Sequence, residues 1–122
     1  MQIKRIYTPE HHLVTSLFDK YRVFYKQSPD LNIAESFIKE RLENNESVIF
    51  AALTDENIPI GFTQLYPVFS SARATKNWLL NDLFVESAYR KQGIGEALIK
   101  VAMDFARSEN SSYLKLETAY EQ

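Results

Sequence analysis

The sequence predicts a single domain of the mixed α/β (α+β) class, a mostly antiparallel sheet flanked by helices in the order β-α-α-β-β-β-α-β. Two observations lead to this class. Segments with apolar residues at helical spacing are interleaved with shorter segments of strand-like pattern, either alternating or continuously apolar. The stretch over residues 76–118 also has a strand–helix–strand pattern, which requires a parallel crossover, whereas the earlier strands should be antiparallel.

The N-terminal part of the chain has the pattern of one strand followed by two helices. Residues 3–7 form the predicted strand, and Thr8 before Pro9 predicts a capped helix start with proline in the first helical position. After a short break, Asn32 and Glu35 have the spacing of a capping box, which opens the predicted second helix.

The remaining residues predict a hairpin, a further strand, a third helix and a last strand. Residues 47–53 have a continuous apolar centre, which indicates a central strand. A turn joins them to a strand over residues 58–69, and another turn leads to a strand over residues 76–85. The third helix is predicted over residues 93–107, and alternation predicts the last strand over residues 113–118.

The composition excludes several classes of function. The chain has 122 residues, 45% of them hydrophobic and 25% charged, which is typical of one soluble globular domain. A net charge of −2 gives no footprint for nucleic acid or an anionic membrane. The absence of cysteine excludes disulfides and thiol catalysis and fits a reducing compartment. With no signal peptide and no apolar run long enough to span a bilayer, the sequence predicts a cytoplasmic protein.

The most informative segment connects the fourth strand to the third helix. Arg90, Gly93 and Gly95 form an R-x-x-G-x-G pattern there, which holds two of the three glycines in the chain. Glycine lets backbone N–H groups crowd around an anion, and a helix N-terminus adds unpaired N–H groups and a positive dipole end. The pattern therefore predicts a phosphate cradle. The alternatives are a tight turn without a ligand and a dinucleotide site, whose G-x-G-x-x-G spacing is absent.

The same segment resembles the acetyl-CoA signature of the GCN5-related N-acetyltransferase (GNAT) superfamily. The resemblance extends to residues 82–85 before the loop and to Ala97 and Leu98 after it, and residues 82–85 with Tyr89 and Arg90 are also similar to the polyamine and diamine branch. It implies the acyl-CoA N-acyltransferase fold and direct transfer of an acetyl group from acetyl-CoA to a primary amine of a small molecule or protein. Acetyl-CoA is then the cosubstrate, and no metal is expected.

The resemblance also implies which residues hold acetyl-CoA. The pantetheine arm would lie along the backbone of a strand that splays from its neighbour, and a backbone N–H of that strand would polarise the thioester carbonyl. The diphosphate would rest on backbone N–H groups of the loop, with added charge from Arg90 or Lys91. The residues expected to bind acetyl-CoA are Leu83, Phe84, Val85, Arg90, Lys91, Gln92, Gly93, Ile94, Gly95 and Glu96.

The catalytic candidates follow from the chemistry of the acceptor. An amine must be neutral to attack, so a general base or a water relay is required. Asp82 is the first candidate by position and Asn81 the second, with a purely structural Asp82 as the alternative. Strand alternation sends these two side chains to opposite faces unless a bulge intervenes. The polyamine branch often has a second acid where Asn81 stands, and its absence argues against a polyamine acceptor.

Three residues are expected at the acceptor: Arg22, Tyr25 and Tyr66. The resemblance places the first helices along one wall of the acceptor pocket, although aromatic residues there are more often part of the core. A cation at Arg22 would repel a polycation and favour an acceptor that bears a carboxylate.

The last expectation concerns the C-terminal end. Family members usually continue with a further helix and two strands, which the single domain predicted over residues 1–122 lacks. Tyr120 precedes that helix, so we do not assign it the role of protonating the CoA thiolate. An unpaired sheet edge would invite pairing with another chain, which makes a homodimer a hypothesis. The alternative function is a non-catalytic acyl-CoA-binding or regulatory module.

Overall fold

The computed structural model describes residues 1–117, which form a five-stranded sheet with helices on both faces. The strands, in their order across the sheet, are β1 (Gln2–Ile6), β2 (Val48–Leu53), β3 (Pro59–Ser70), β4 (Thr75–Val85) and β5 (Leu114–Leu116). The helices are α1 (His12–Phe24), α2 (Leu31–Glu43) and α3 (Ile94–Ser108), with a 3-10 turn at Ser87–Tyr89. Strands β1 to β4 are antiparallel, and β5 is parallel to β4. The predicted fold class and element order are confirmed.

Each face of the sheet has its own apolar core. Helices α1 and α2 cover one face, where Phe18 stacks on Phe37 with a centroid separation of 5.5 Å and meets Phe62 edge-on at 6.2 Å. Helix α3 covers the other face, where Phe105 contacts the Trp78 ring at 5.1 Å. Strand β2 is buried on both faces, as its continuous apolar centre predicts.

Gly61 in β3 determines how closely α3 approaches the sheet. A Cβ atom at this position would lie 3.1 Å from the carbonyl oxygen of Phe84, and 3.4 Å from side-chain carbons of Ile94 and Leu98. The missing side chain therefore leaves room for the first turn of α3, which comes to lie beside the end of β4.

The start of α1 differs from the prediction. Thr8 and Pro9 lie in a turn in which the N–H of Glu10 donates to the carbonyl of Tyr7 at 2.7 Å, and the helix begins only at His12. The turn takes up the residues that were expected to form the first helical turn. Because the backbone donors there find carbonyl partners, no hydroxyl cap is needed.

The start of α2 also differs, because Asp30 replaces the predicted capping box. Asp30 is extended, and its carboxylate accepts the N–H of Ile33 at 3.1 Å. Asn32 and Glu35 consequently lie inside the helix. The last strand is shorter than predicted, and position 118 and Tyr120 lie outside the described residues.

Candidate active site

The site begins at the part of β4 that extends beyond its pairing with β5. Strand β5 pairs with β4 only at Trp78, Leu79 and Leu80, whereas β3 accompanies β4 as far as Val85. Beyond Leu80, no strand within residues 1–117 pairs with this edge of β4. Within residues 1–117, the end of β4 therefore has one backbone edge without a strand partner, and the splay that the resemblance implied stays a prediction.

A β-bulge at Asn81 sets the direction of the side chains that follow. The register passes from Gln64 opposite Asp82 to Leu65 opposite Leu80, so Asn81 is the extra residue. The bulge brings the side chains of Asn81 and Asp82 together, and the Asn81 amide donates to the Asp82 carboxylate at 2.7 Å. The β-bulge that would bring these two side chains to the same side of the strand therefore occurs here.

Asp82 is the centre of a buried polar cluster, which also contains Gln64, Asn81 and Tyr21. The Asp82 side chain is only 2% exposed, and the Gln64 amide donates to its second carboxylate oxygen at 2.5 Å. The Tyr21 hydroxyl donates to the carbonyl of Asn81 at 3.1 Å and also interacts with the Asp82 carboxylate. Both oxygens of the carboxylate thus have a hydrogen-bond donor.

The buried surroundings of this cluster favour the protonated form of Asp82. Burial raises the pKa of the Asp82 carboxyl, although hydrogen bonds from Asn81, Gln64 and Tyr21 oppose the rise. The pKa of the Tyr21 hydroxyl and that of Tyr66 are also raised, first by burial and then by the negative charge of Asp82. Asp82 is therefore a stronger proton acceptor than an exposed aspartate.

The glycine loop ends in an uncapped helix start. Lys91 and Gly93 both have a positive φ, 63° and 82°, and together they turn the chain into α3. No side chain caps the N-terminus of α3, and the first intrahelical bond runs from Ala97 N–H to the Gly93 carbonyl at 3.0 Å. The preceding N–H groups of the helix start have no intrahelical acceptor. A Cβ at Gly93 would meet nothing within 4 Å, so this turn faces open space.

The β4 edge and the start of α3 meet in one cleft of about 290 Å³. Its third wall is the C-terminal end of α1. The lining residues are Tyr21, Phe24, Tyr25, Leu83, Phe84, Val85, Tyr89, Arg90, Lys91, Gly93, Ile94, Gly95 and Glu96. The cleft thus brings together most residues that were expected to bind acetyl-CoA.

Arg90 reaches back from the loop to β4. Its Nε donates to the carbonyl oxygen of Val85 at 2.9 Å, and its guanidinium lies 5.6 Å from the centroid of the Phe84 ring. Arg90 and Lys91 both line the cleft, so positive charge is available there to an anionic ligand.

Three of the residues predicted for the cofactor and the acceptor lie outside the lining of the cleft. Tyr25 lines the cleft, whereas Gln92, Arg22 and Tyr66 are not among its lining residues. The Arg22 guanidinium donates to Asp19 at 2.8 Å and to the Ser28 carbonyl at 3.1 Å, so its charge is balanced inside the α1–α2 connection. The functional roles of these residues stay predictions.

Sequence reasoning did not select Gln64 for the site. Gln64 had a detectable signal, because a glutamine between Phe62 and Leu65 must find a partner once it is buried. Tyr21 was expected only along the acceptor wall that the first helices form, since nothing in the sequence shows that its hydroxyl reaches Asn81. Within the described part of the chain, no cluster of three or more His, Cys, Asp or Glu side chains could hold a metal.

Comparison with known proteins assigns the chain to a family. The model of the acetyltransferase (GNAT) family matches residues 10–122. The chain therefore belongs to the GNAT family and is an acetyltransferase that uses acetyl-CoA as its donor.

Individual relatives agree with this assignment. The chain is 43% identical over 120 residues to the uncharacterized N-acetyltransferase YhfO of Bacillus subtilis (strain 168), covering 98% of this chain and 80% of that protein. It is 35% identical to a probable acetyltransferase of Haemophilus influenzae, over 87% of this chain and 73% of that protein.

Solved structures show the same fold. The crystal structure of a probable acetyltransferase superposes with a TM-score of 0.92 at 34% identity, over 100% of this chain and 82% of that chain. The crystal structure of a predicted acetyltransferase with acetyl-CoA, from Clostridium acetobutylicum, superposes with a TM-score of 0.79 over 98% of this chain and 81% of that chain. At 14% identity, this second likeness concerns the fold alone.

Proposed function

We propose that this chain transfers the acetyl group of acetyl-CoA to a primary amine of a small molecule or protein, by direct attack of the amine in the cleft. The observation that carries the proposal is that the open edge of β4 and the uncapped start of α3 line the same cleft. One provides backbone partners for an extended amide-containing arm, and the other provides N–H groups for a diphosphate.

The proposed donor site runs from the loop to the bulge. The N–H groups around Gly93 and Gly95 hold the diphosphate, and Arg90 and Lys91 add positive charge. The pantetheine arm lies along the open edge of β4 at residues 83–85, in the manner of an added strand. The thioester then reaches the bulge, where a backbone N–H polarises its carbonyl and stabilises the charge that develops during attack.

The proposed acceptor wall is the end of α1. Phe24 and Tyr25 are 41% and 39% exposed, and their ring centroids are 5.2 Å apart. Such a surface suits an amine that carries an apolar or aromatic group. We leave Arg22 outside this wall, because its hydrogen bonds to Asp19 and Ser28 occupy the guanidinium that would otherwise attract a carboxylate.

A turnover assay tests the proposed function. The protein is incubated with acetyl-CoA and a panel of primary amines, and the release of free CoA thiol is followed, with each amine omitted as a control. We expect amine-dependent thiol release together with a rise in melting temperature on addition of acetyl-CoA. A melting-temperature rise without turnover for any amine would favour the non-catalytic acyl-CoA-binding module instead.

We also propose that the protein is cytoplasmic. No helix in the described part of the chain is long and apolar enough to cross a bilayer, and the absence of cysteine from the sequence fits a reducing compartment.

We further propose that the protein forms a homodimer through β5. Leu116 of β5 is 52% exposed and Met103 of α3 is 45% exposed, beside a strand edge that no strand within residues 1–117 covers. Such an edge favours pairing between chains.

Analytical ultracentrifugation tests the dimer. We expect Leu116→Lys to shift the protein towards the monomer, because a charge would be buried at the apolar contact. Leu31→Lys is the matched control, since Leu31 is 57% exposed on the distant α2. A monomeric wild-type protein, or an equal effect of the two substitutions, would contradict the proposal.

A further inference from the structure

Asp82 has the right chemistry for a base but no direct access to the amine. Its side chain is 2% exposed, and the amides of Asn81 and Gln64 each occupy one of its oxygens. A side chain that contacts both this carboxylate and the cleft would connect the two for proton transfer. The question is which side chain has both contacts.

Tyr21 has both contacts. Its side chain lines the cleft, and its hydroxyl meets Asn81 and Asp82 at the buried end. The ring is fixed by Tyr25, with centroids 4.9 Å apart, and by Phe62 edge-on at 6.0 Å. The hydroxyl therefore lies at the boundary between the cleft and the polar cluster, held by contacts on more than one side.

We propose that Tyr21 is the proton relay between the acceptor amine and Asp82, an inference that rests on the proposed acetyl transfer. The neutral amine forms its C–N bond to the thioester carbon, the C–S bond breaks, and CoA leaves as the thiolate. The Tyr21 hydroxyl, which donates to the Asn81 carbonyl in this structure, turns to the neighbouring Asp82 carboxylate and gives it its proton, while the Tyr21 oxygen takes the proton of the attacking nitrogen. Tyr21 is neutral before and after the step, and Asp82 ends protonated.

The surroundings of Asp82 hold its carboxylate in place for this role. Asn81 and Gln64 each donate an amide N–H to one of its oxygens. Tyr21 is then the contact of the carboxylate with the cleft.

Tyr21→Phe is the direct test, because it keeps the ring packing and removes only the relay oxygen. We expect kcat for the amine to fall by roughly 100- to 10,000-fold, the usual contribution of general base catalysis. The melting-temperature rise with acetyl-CoA should be unchanged. Tyr7→Phe is the control, since Tyr7 is 55% exposed and is not among the residues that line the cleft.

A solvent isotope experiment distinguishes the relay from a structural role. In mixtures of H₂O and D₂O, two protons in flight give the wild-type rate a curved dependence on the deuterium fraction. We expect this dependence to become linear in Tyr21→Phe, which a merely structural tyrosine would not cause. A linear wild-type dependence, or a Tyr21→Phe rate within about threefold of wild type, overturns the relay alone. Absence of wild-type turnover with every amine overturns the proposed function as well.

Discussion

A carboxylate that is almost completely buried needs polar neighbours to replace water. Asp82 has two amides and a phenol as such neighbours. Burial nevertheless dominates and raises its pKa. In the folded state Asp82 therefore keeps its proton to a higher pH than in the unfolded chain. The stability that this proton provides is fully present at low pH and is lost as the pH rises through the folded-state pKa.

Asp82→Asn should remove this pH dependence. The neutral amide can donate to the Gln64 carbonyl oxygen, which has no partner among the described residues. We expect the unfolding free energy of the variant, relative to wild type, to increase as the pH rises above the ordinary aspartate pKa of about 4, measured by urea unfolding. Asp55→Asn is the control, because that side chain is 86% exposed. A constant or decreasing difference between variant and wild type would contradict the burial argument.

Gly93 allows the charge of the cradle to be tested separately from its shape. Its φ of 82° is strained for most residues, yet Asp and Asn both tolerate this region better than others. Gly93→Asp should abolish the melting-temperature rise with acetyl-CoA, because its carboxylate would repel the diphosphate. The isosteric Gly93→Asn should keep a reduced rise. Equal shifts in the two variants would show that the loop does not bind the anion.

At the scale of elements, periodicity was enough to predict the fold but not the local geometry. The continuous apolar centre predicted a central position for β2, and apolar residues at helical spacing predicted α3. Few arrangements of these elements bury their apolar side chains. The helix starts were wrong, since the backbone turn at Glu10 and the reach of the Asp30 carboxylate depend on local geometry. The bulge at Asn81 arises from strand register, which a single sequence does not encode locally.

Strands β3 and β4 and helix α3 approach one another closely at Gly61. Gly61→Ala should destabilise the protein by about 1–3 kcal/mol, the usual cost of overpacking, because the new methyl group meets the Phe84 carbonyl and the first turns of α3. Urea unfolding measures the loss. Affinity for acetyl-CoA should fall as well, since α3 and β4 are pushed apart. A variant as stable as wild type would show that α3 shifts without cost.

At the scale of the whole molecule, the cleft depends on elements from both faces of the sheet. Helix α1 belongs to one layer and α3 to the other. The end of β4 lies between them, beyond the residues that pair with β5. The glycine motif and the resemblance predicted a donor site at the loop and an acceptor wall at the first helices, and the binding roles of both stay predictions. The contact between Tyr21 and Asn81 was not predictable, because it joins residues 60 positions apart through tertiary packing.

The most direct test of the account is a crystal structure of the protein with CoA. We expect the diphosphate to accept hydrogen bonds from backbone N–H groups of residues 91–96, at about 2.7–3.2 Å, and the pantetheine arm to lie along residues 83–85. A diphosphate bound elsewhere, with those N–H groups facing solvent, would contradict the central claim.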